Sequence, residues 1–340
     1  MYNCEILADS LSPQGHRLTT FKVTYPRIVH AELMTHRVFS RNAASSRGIP
    51  AKKMIEYVKN NMFTPLAIQK THKGMQGSNY FKGVELEQAN QLWIESAELA
   101  LQQAEKMEKF GFTKQLTNRT LEPYQYYQVL VTATEWENFF ELRAPSYVIE
   151  GINGNKPFKS KKEVLNKLAN SNVALYNTLN NYTDLDWLQI NTSQADIHIQ
   201  AIAEMMWDEF NSSTPKQLKP GEWHIPDLGH EWDLVQMSKL PVILNPEDTS
   251  VNLLKVRIAT AHCAKISYDN FGTKVNYEAD IKLHDRLLES KHFSPFEHCA
   301  KAMSDEEYYL DDRGVGLSDK LAGWCRNFRG FIQYRDLIDN

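Results

Sequence analysis

The stretch THRVFSRNAASSR, residues 35–47, is the segment around which the rest of the chain is arranged. It contains one His, three Arg, three Ser and one Asn, and it follows the apolar residues Val29 and Leu33. Arg is rarely buried unless it is paired, and guanidinium and hydroxyl groups together bind anions well. The stretch therefore predicts an anion site, with phosphate as the first candidate, at the surface of a cleft. Composition alone leaves open a solvated loop with a serine helix cap.

The composition indicates a globular protein. Its 340 residues are 42% hydrophobic and 11% aromatic, which is enough to fill one large domain or two ordinary ones. A net charge of -4 gives no broad basic surface, so no nucleic-acid polymer is expected as a partner. There is no run of 18 apolar residues and no leader-like start, so we expect a cytoplasmic protein without a membrane span.

The cysteines predict neither a disulfide framework nor a metal site. Cys4, Cys263, Cys299 and Cys325 form no CxxC pair and have no His at the spacing of zinc ligands. This usage is typical of a reducing compartment.

The first half of the chain alternates strand and helix patterns. Residues 19–25, TTFKVTY, predict a strand that Pro26 ends, and a helix is expected to continue to residue 38 or 39. A short amphipathic stretch surrounds Met54, Ile55 and Val58, and a polar, Gly-rich loop follows it. Residues 85–110 are the clearest helix, ended by Gly111.

The second half is more irregular. Residues 124–143 are apolar and aromatic, and periodicity does not decide between a strand and a buried helix. Residues 144–192 are interpreted as an inserted surface element with solvated charges, and residues 195–210 as an amphipathic helix. A Pro- and Gly-rich boundary is expected at 235–250. A main domain at 1–235 and a C-terminal segment at 250–340 are thus expected.

Three stretches carry a family resemblance. Residues 35–47 resemble the signature of flavin-dependent thymidylate synthases, an Arg-His-Arg triplet followed by Ser, Asn, Glu, Ser and Arg. The matching positions are His36, Arg37, Ser40, Asn42, Ser45 and Arg47. NFFELR, residues 138–143, is similar to a flavin- and nucleotide-binding stretch of the family, and SPFEH, residues 294–298, is similar to its N-terminal flavin-binding region.

The order of these stretches differs from the family. SPFEH is expected before the strand at residue 19 but stands after residue 250, as in a circular permutation or a second, degenerate copy of the domain. Domain termini often lie close together, so permutation is physically plausible. We therefore expect residues 294–298 to return in space to residues 35–47, within a thymidylate synthase-like α+β fold.

The resemblance also implies roles for individual residues. It assigns nucleotide binding to Ser45, Arg47, Arg119 and Arg143, with Arg143 and Ser45 closest to the reaction. It assigns flavin or folate contacts to His36, Arg37, Ser40, Asn138, Ser294, Glu297 and His298. Alternatives remain open, because Asn138 and Glu297 could cap helices and His298 could be a satisfied core histidine. No metal is expected.

The reaction implied by the resemblance transfers a one-carbon unit from methylenetetrahydrofolate to C5 of dUMP. FAD supplies the hydride, NADPH reduces the flavin, and the product is dTMP, in a homo-oligomer whose active site is shared between subunits. The alternatives are hydroxymethylation, a dCMP substrate, and a nucleotide-binding protein without turnover.

Three departures from the signature bear on these alternatives. Thr35 replaces the first Arg, so a cation is missing unless Arg27, Arg41 or a C-terminal arginine supplies it. Ala43 replaces the acid, which removes a carboxylate near the nucleotide. Gln194, Ala195 and Asp196 stand where the family often has His-Ala-Gln.

Overall fold

The structure, a computed structural model, describes residues 1–74, 77, 79–226, 232, 237, 251–268, 276–311 and 313–339. Within these residues the chain is mixed α and β, as predicted. The strands are β1 (Asn3–Leu11), β2 (Arg17–Pro26), β3 (Ser40–Ala43), β4 (Tyr126–Ala133), β5 (Lys216–Gln217), β6 (Trp223–His224), β7 (Ala300–Ala302), β8 (Trp324–Cys325), β9 (Phe328–Arg329) and β10 (Phe331–Gln333).

The main sheet has the order β3-β4-β2-β1-β5. Its neighbours are antiparallel except for β1 and β5, which are parallel. A second sheet has the order β10-β7-β6, and β8 pairs with β9. The predicted strand at 19–25 is confirmed as the central part of β2, where Phe21, Val23 and Tyr25 are fully buried.

The helices cover both the main sheet and the C-terminal segment. They are α1 (His30–Met34), α2 (Ala51–Asn60), α3 (Gly83–Phe110), α4 (Lys114–Arg119), α5 (Glu137–Arg143), α6 (Lys161–Ala169), α7 (Val173–Asn180), α8 (Asp184–Ile190), α9 (Ile197–Ser212), α10 (Val251–Lys265), α11 (Tyr277–Glu289), α12 (Asp305–Tyr309) and α13 (Tyr334–Ile338). The predicted helix at 85–110 is confirmed as α3, and Gly111 ends it with φ +94°.

The prediction that the helix after Pro26 continues to residue 38 or 39 is wrong. The segment is a short 3-10 turn followed by α1, which stops at Met34, and the Thr35 Oγ1 donates a hydrogen bond to the Glu32 carbonyl at 2.7 Å. The chain then forms β3, whose buried positions Ser40 and Asn42 alternate with half-buried ones. The signature therefore runs along the edge of the main sheet.

Periodicity left open whether the apolar stretch at 124–143 is a strand or a helix, and it contains one of each. It forms β4 and then, after a short break, α5. The helix predicted at 195–210 is α9, which packs its apolar side against β1 and β2.

Residues 144–192 form three short helices with a core of their own. That core is built around Tyr147, Val164, Leu168 and Trp187. The expectation that the charges here face solvent is wrong for Lys159, which is 6% exposed and pairs with the Glu141 Oε2 at 3.0 Å.

The C-terminal segment packs on the main sheet rather than apart from it. Leu18 of β2 shares a buried cluster with Ala300 of β7, Phe328 of β9 and Phe331 of β10. The boundary predicted at 235–250 lies outside the described residues except for Met237.

Two searches of the described residues complete the description. None of the helices found there is both long and apolar enough to cross a membrane. Likewise, the described ranges contain no group of three or more His, Cys, Asp or Glu side chains that could hold a metal ion. The four cysteines are free thiols.

Candidate functional site

A cleft of about 330 Å³ lies where the signature, α4 and the C-terminal segment meet. Four arginines and four serines line it. The lining includes Arg27, Arg41, Arg47, Arg119, Ser45, Ser46, Ser267 and Ser294, together with the single carboxylate of Glu122. Ser294 belongs to the 3-10 turn Ser294–Glu297, which contacts β3. Residues 294–298 therefore lie next to the signature, as predicted.

The positive charge of the cleft is only partly compensated. Arg47 and Arg119 are exposed, and no carboxylate in the described ranges pairs with either side chain. Arg27 pairs with the Glu122 Oε1 through Nη2 at 3.0 Å, but its Nη1 is buried without a hydrogen-bond partner among the described atoms. Buried donors are normally satisfied, so an unpaired guanidinium nitrogen here points to an anion as the missing acceptor.

The signature loop is held in place by a buried amide. Asn118 of α4 is fully buried and donates from Nδ2 to the Ser46 carbonyl at 2.8 Å and to the Ile49 carbonyl at 2.9 Å. The Ser46 hydroxyl donates to Glu122 at 2.6 Å and is therefore engaged. The Ser45 hydroxyl accepts from the Arg47 amide at 3.2 Å, which leaves its proton available to a ligand.

Gly48 lets the signature loop approach the C-terminal segment. A Cβ at this position would lie 2.6 Å from the Ser267 carbonyl oxygen, closer than real Cβ atoms come. The Ser267 hydroxyl in turn donates to the Ala43 carbonyl at 3.2 Å. Two distant parts of the sequence thus form one wall of the cleft.

A second polar cluster, the α5 group, lies apart from the cleft. It consists of Arg143 of α5 with its neighbours Thr35 and His36. Arg143 donates from Nε to the His36 Nε2 at 3.2 Å and from Nη2 to the Thr35 Oγ1 at 3.0 Å. Burial and the charges of Arg143 and Arg41 lower the pKa of His36 to about 4. His36 is therefore a neutral acceptor at neutral pH, and its ring stacks on Phe39.

Arg27 and Arg41, and not Arg143, are the candidates that replace the cation missing at position 35. Arg143 does not line the cleft, whereas Arg27 and Arg41 both do. Arg41 also donates to the Met34 carbonyl at 3.1 Å and to the His36 carbonyl at 3.3 Å, so it joins the two groups. The C-terminal arginines, which were the other candidates, bond to residues of their own segment or to Glu297.

Two residues expected at a cofactor are inside the protein. Ser40 is 1% exposed, and its hydroxyl accepts from the Asn327 Nδ2 at 3.1 Å and the Gln333 Nε2 at 3.3 Å. His298 is fully buried and bonds through Nδ1 to Thr132 at 2.7 Å. Neither side chain offers a surface to a ligand. His298 is a core histidine, but only its Nδ1 is satisfied, since its Nε2 has no hydrogen-bond partner among the described atoms.

The remaining residues predicted to contact nucleotide or cofactor lie at different places. Arg37 and Asn138 are exposed, Arg37 beside His36 and Asn138 in the first turn of α5. Glu297 pairs with Arg335 at 2.5 Å. Of the residues assigned to nucleotide or cofactor, the cleft brings together Ser45, Arg47, Arg119 and Ser294.

Sequence reasoning missed residues that line or support the cleft beside the predicted ones. Asn118 and Glu122 flank Arg119 in the stretch NRTLEP, and Ser46 lies between two assigned signature positions. Proximity to Arg119 was the available signal for Asn118 and Glu122. Ser267 carried no signal, since only the fold brings it to residue 43.

A larger groove of about 710 Å³ continues from the cleft and shares Ser45, Arg47 and Ser267 with it. Its far side presents the exposed side chains of Tyr268, Arg286 and His292. Its volume falls within the range of roughly 300–1,000 Å³ typical of cofactor and ligand sites. Cations and an aromatic ring in one groove fit a ligand that carries both phosphate and heteroaromatic rings.

Residues 6–152 match the family model described as thymidylate synthase complementing protein. The matched segment covers 147 of the 340 residues. The resemblance to flavin-dependent thymidylate synthases is thus confirmed for a segment that includes Ser45, Arg47, Arg119 and Arg143. The match ends before the C-terminal segment, so the permuted order of SPFEH stays a prediction.

Other comparisons are more distant. No curated protein matches the chain. A structure of the UMP/dUMP methylase PolB from Streptomyces cacaoi with 5-Br dUMP has 15% identity and a TM-score of 0.37, over 57% of this chain and 66% of that one. The same methylase with 5-Br UMP has 16% identity and a TM-score of 0.39, over 62% of this chain and 88% of that one. Residue correspondences do not follow from similarity at this level.

Proposed function

We propose that the protein transfers a one-carbon unit from methylenetetrahydrofolate to C5 of dUMP, with FAD-mediated reduction, and so forms dTMP. The observation that supports this most is the cleft of guanidinium and hydroxyl groups within the family segment, at the positions of the signature. The cleft favours a nucleoside monophosphate over a polymer, because its four arginines are local in a chain of net charge -4.

Phosphate binding is the step that this chain's residues explain best. A phosphate monoester carries about -1.5 to -2 charge at neutral pH and presents strong acceptor oxygens. Arg47 and Arg119 are free to donate to it, the Ser45 hydroxyl adds a neutral donor, and the unpaired Arg27 Nη1 adds a buried one. Charge-assisted bonds of this kind fix the nucleotide in register with the rest of the site.

The residues around the larger groove fit a flavin dinucleotide. Arg47 and Arg286 would hold its phosphates, and the exposed ring of Tyr268 offers a stacking surface. When bound, reduced FAD supplies the hydride, and NADPH is the proposed reductant. Arg47 lines both spaces, so it would orient nucleotide and cofactor relative to each other.

The α5 group is proposed to act between subunits. His36, Arg37, Asn138 and Arg143 lie outside the cleft lining, although the family resemblance assigns them to flavin and nucleotide. In a homo-oligomer this face can complete the cleft of a neighbouring subunit. Arg143 would then stabilise negative charge on the pyrimidine carbonyls as C5 becomes nucleophilic.

Hydroxymethylation of dUMP or dCMP is the second candidate. Ala43 lines the cleft where the family signature has an acid, so the carboxylate nearest the ligand is Glu122 instead. A displaced carboxylate would alter which hydrogen-bonding groups of the base are read and how water is excluded. A nucleotide-binding protein without turnover is the third candidate.

The first test uses the purified 340-residue chain. We expect it to take up FAD, to be yellow, and to lose its colour with NADPH. Mass analysis of the products from dUMP and dCMP with isotope-labelled methylenetetrahydrofolate then separates methyl from hydroxymethyl products. Protein that takes up no FAD and converts neither nucleotide would contradict the enzymatic proposal.

A matched pair of variants tests the cleft itself. Arg47→Ala should weaken dUMP binding by ~1.5–3 kcal/mol, the value of a hydrogen bond to a charged group. Arg313→Ala removes an exposed arginine outside the cleft and should leave dUMP binding unchanged. Equal effects of the two variants would show that the cleft is not the phosphate site.

A further inference from the structure

A cavity of about 250 Å³, the insertion cavity, lies between α9 and the inserted element at 144–192. The inserted element supplies Tyr147, Lys161 and Trp187 to its lining, and α9 supplies Glu204. The insertion cavity shares no lining residue with the cationic cleft or with the larger groove. Most of its lining also follows residue 152, where the family match ends. The proposed nucleotide and flavin sites therefore do not account for it.

Aromatic rings form one wall of the insertion cavity. The ring centres of Trp187 and Tyr147 lie 5.0 Å apart at an angle of 68°, and both residues are buried in the protein. Tyr2 adds a third ring to the lining. The faces of indole and phenol rings attract cations, and the attraction is larger where water is excluded. This wall therefore favours a positively charged ligand over an anion.

The carboxyl group of Glu204 gives the cavity negative charge. Its Oε1 accepts a hydrogen bond from the Lys161 amide at 2.6 Å, and no basic side chain among the described residues forms an ion pair with it. The Lys161 ammonium is paired with the Asp184 Oδ1 at 2.7 Å instead. Burial raises the pKa of Glu204 to about 7; Asp208 and Asp184 add to the shift, and Lys161 opposes it. A cation that enters the cavity would stabilise the ionised form of this carboxyl.

Two hydroxyl groups of the lining lack a hydrogen-bond partner in the part of the chain that the structure describes. The Tyr2 hydroxyl is buried and bonds to no described atom. The Tyr147 hydroxyl forms no hydrogen bond within the described ranges either, although the residue is only 3% exposed. Buried polar groups are normally satisfied, and a hydroxyl oxygen accepts from an N–H donor. With Glu204 these hydroxyls offer three acceptors, which matches the three donors of a primary ammonium group.

We propose that the insertion cavity binds a small primary alkylammonium ion, with Glu204 as its counter-ion and Trp187 and Tyr147 as its aromatic wall. Such a site goes beyond the proposed function and does not depend on it. A cavity of about 150 Å³ is known to hold benzene, so one of about 250 Å³ admits a chain of about four to six carbons. In a diamine the second ammonium group would lie at the mouth of the cavity, where Asp184 is exposed.

The test compares a diamine with a neutral molecule of the same length. Putrescine and butane-1,4-diol are titrated calorimetrically against the 340-residue chain at pH 8. We expect putrescine to bind saturably and the diol to bind at least about tenfold more weakly, because only the diamine pairs with a carboxylate and aromatic faces. Equal binding of the two molecules, or no saturable binding of putrescine, would overturn the inference.

Two variants identify the groups that bind the amine. Glu204→Gln keeps the acceptor for the Lys161 amide but removes the charge, so it should weaken putrescine binding at least about tenfold. Tyr147→Phe keeps the ring and removes one acceptor, so it should weaken binding about fivefold. Neither residue lines the cationic cleft, and dUMP binding should be the same in both variants as in the unmodified chain.

A matched control separates the cavity from the net charge of the chain. Glu289→Gln removes an exposed carboxylate outside the insertion cavity and should bind putrescine as the unmodified chain does. Equal losses in the two glutamine variants would place putrescine on the acidic surface, and full affinity in Glu204→Gln would mean that Glu204 is not the counter-ion. Either result overturns the inference. Thermal unfolding checks the fold, and if Glu204→Gln has a lowered Tm, Tyr147→Phe decides.

The pH dependence of binding tests the same site in the unmodified chain. With a pKa of about 7, Glu204 is mostly protonated at pH 6 and mostly ionised at pH 8, whereas an alkylammonium group stays charged at both. The charged groups that face Glu204 are Lys161 of α6, Asp184 of α8 and Asp208 of α9, and the lining contains no histidine. Putrescine should therefore bind roughly tenfold more tightly at pH 8 than at pH 6, and Glu204→Gln should lose this dependence. The same pH dependence in both proteins would contradict the assignment of Glu204.

Discussion

At the scale of single residues, Thr35 fits its surroundings better than the arginine of the family triplet would. Its hydroxyl accepts from Arg143 and donates to the Glu32 carbonyl, so it is used in both directions. A guanidinium at position 35 would meet the Arg143 guanidinium and could accept no bond from it. Thr35 is therefore the residue that suits a neighbouring Arg143. Arg27 and Arg41 line the cleft and supply the positive charge that an arginine at position 35 would have added.

This arrangement predicts a change in the titration of His36. Arg143→Ala removes one of the cations that lower the pKa of His36, so that pKa should rise from about 4 toward 6.5 while remaining below it because burial persists. The measurement is the pH dependence of the His36 ring signals by NMR. Arg313→Ala should leave the curve unchanged. An unaltered His36 titration in Arg143→Ala would show that the two side chains are not in contact.

Residue types predicted the residues that line the cleft better than those that support its walls. Ser45, Arg47 and Arg119 were recognisable because cations and hydroxyls in a polar stretch have few structural uses. Ser40 and His298 carried the same kind of signal, yet both are buried by partners that come from distant segments. Whether a polar residue faces a ligand or the core depends on tertiary packing, and a local pattern does not contain that information.

At the scale of elements, the main surprise is the strand β3 within the signature. Local periodicity favoured a continued helix, but β3 pairs with β4 over Ser40–Ala43, and its two buried polar side chains bond to the C-terminal segment. Long-range pairing outweighed local preference here. The helix α3 was predictable for the opposite reason, since its periodic pattern and its glycine stop are both local.

The contact between the signature loop and the turn at Ser267 predicts the effect of one methyl group. Gly48→Ala should force the Ser267 carbonyl away, lower the free energy of unfolding by ~1–3 kcal/mol and weaken dUMP binding, because the shared wall of the cleft moves. Urea unfolding and ligand titration measure the two effects. Gly316→Ala is the matched control, since a Cβ there has nothing within 4 Å. Identical stability of both variants would contradict the close approach.

A buried polar chain between strands predicts a pH effect on stability. His224 bonds to Thr20 at 2.8 Å, Thr20 to Thr132 at 2.8 Å, and Thr132 to His298 at 2.7 Å. Burial lowers the pKa of His224 and of His298 to about 3 each. Because each folded pKa lies below the unfolded value of 6.5, the stabilisation is complete above 6.5 and is lost as pH falls from there toward 3.

The variant His298→Asn isolates that effect. Between pH 6.5 and about 5, one histidine that is protonated only in the unfolded chain costs roughly 2 kcal/mol, so the unmodified chain should lose about that much more stability than the variant. Glu204 acts in the opposite direction, since burial raises its pKa to about 7, but it is present in both proteins. Urea unfolding at the two pH values measures the difference. Parallel losses would mean that His298 titrates normally.

At the scale of the whole molecule, the C-terminal segment completes the core of the main sheet. Leu18 of β2 and Leu218 share one buried cluster with Ala300, Ala302, Phe328 and Phe331. The α+β class and the relation between SPFEH and the signature could be anticipated from sequence. The way in which β6, β7 and β10 form a second sheet could not, because each of these strands is only two or three residues long.

This shared core predicts that the two parts of the chain unfold together. Phe331→Ala should lower the free energy of unfolding by ~3–5 kcal/mol, the usual cost of emptying a fully buried phenylalanine site. Trp324→Ala, at a position that is 40% exposed, should cost much less. Urea unfolding followed at two probes should give one transition for each protein. A separate transition of the C-terminal segment would contradict a common core.

The most direct test of the account is a crystal structure of the full chain with dUMP bound. The account predicts phosphate oxygens within hydrogen-bonding distance of Ser45 and of Arg47 or Arg119, in the cleft that Glu122 and Ser294 complete. A phosphate bound at the α5 group, on Arg143 and His36 of the same chain, would contradict it.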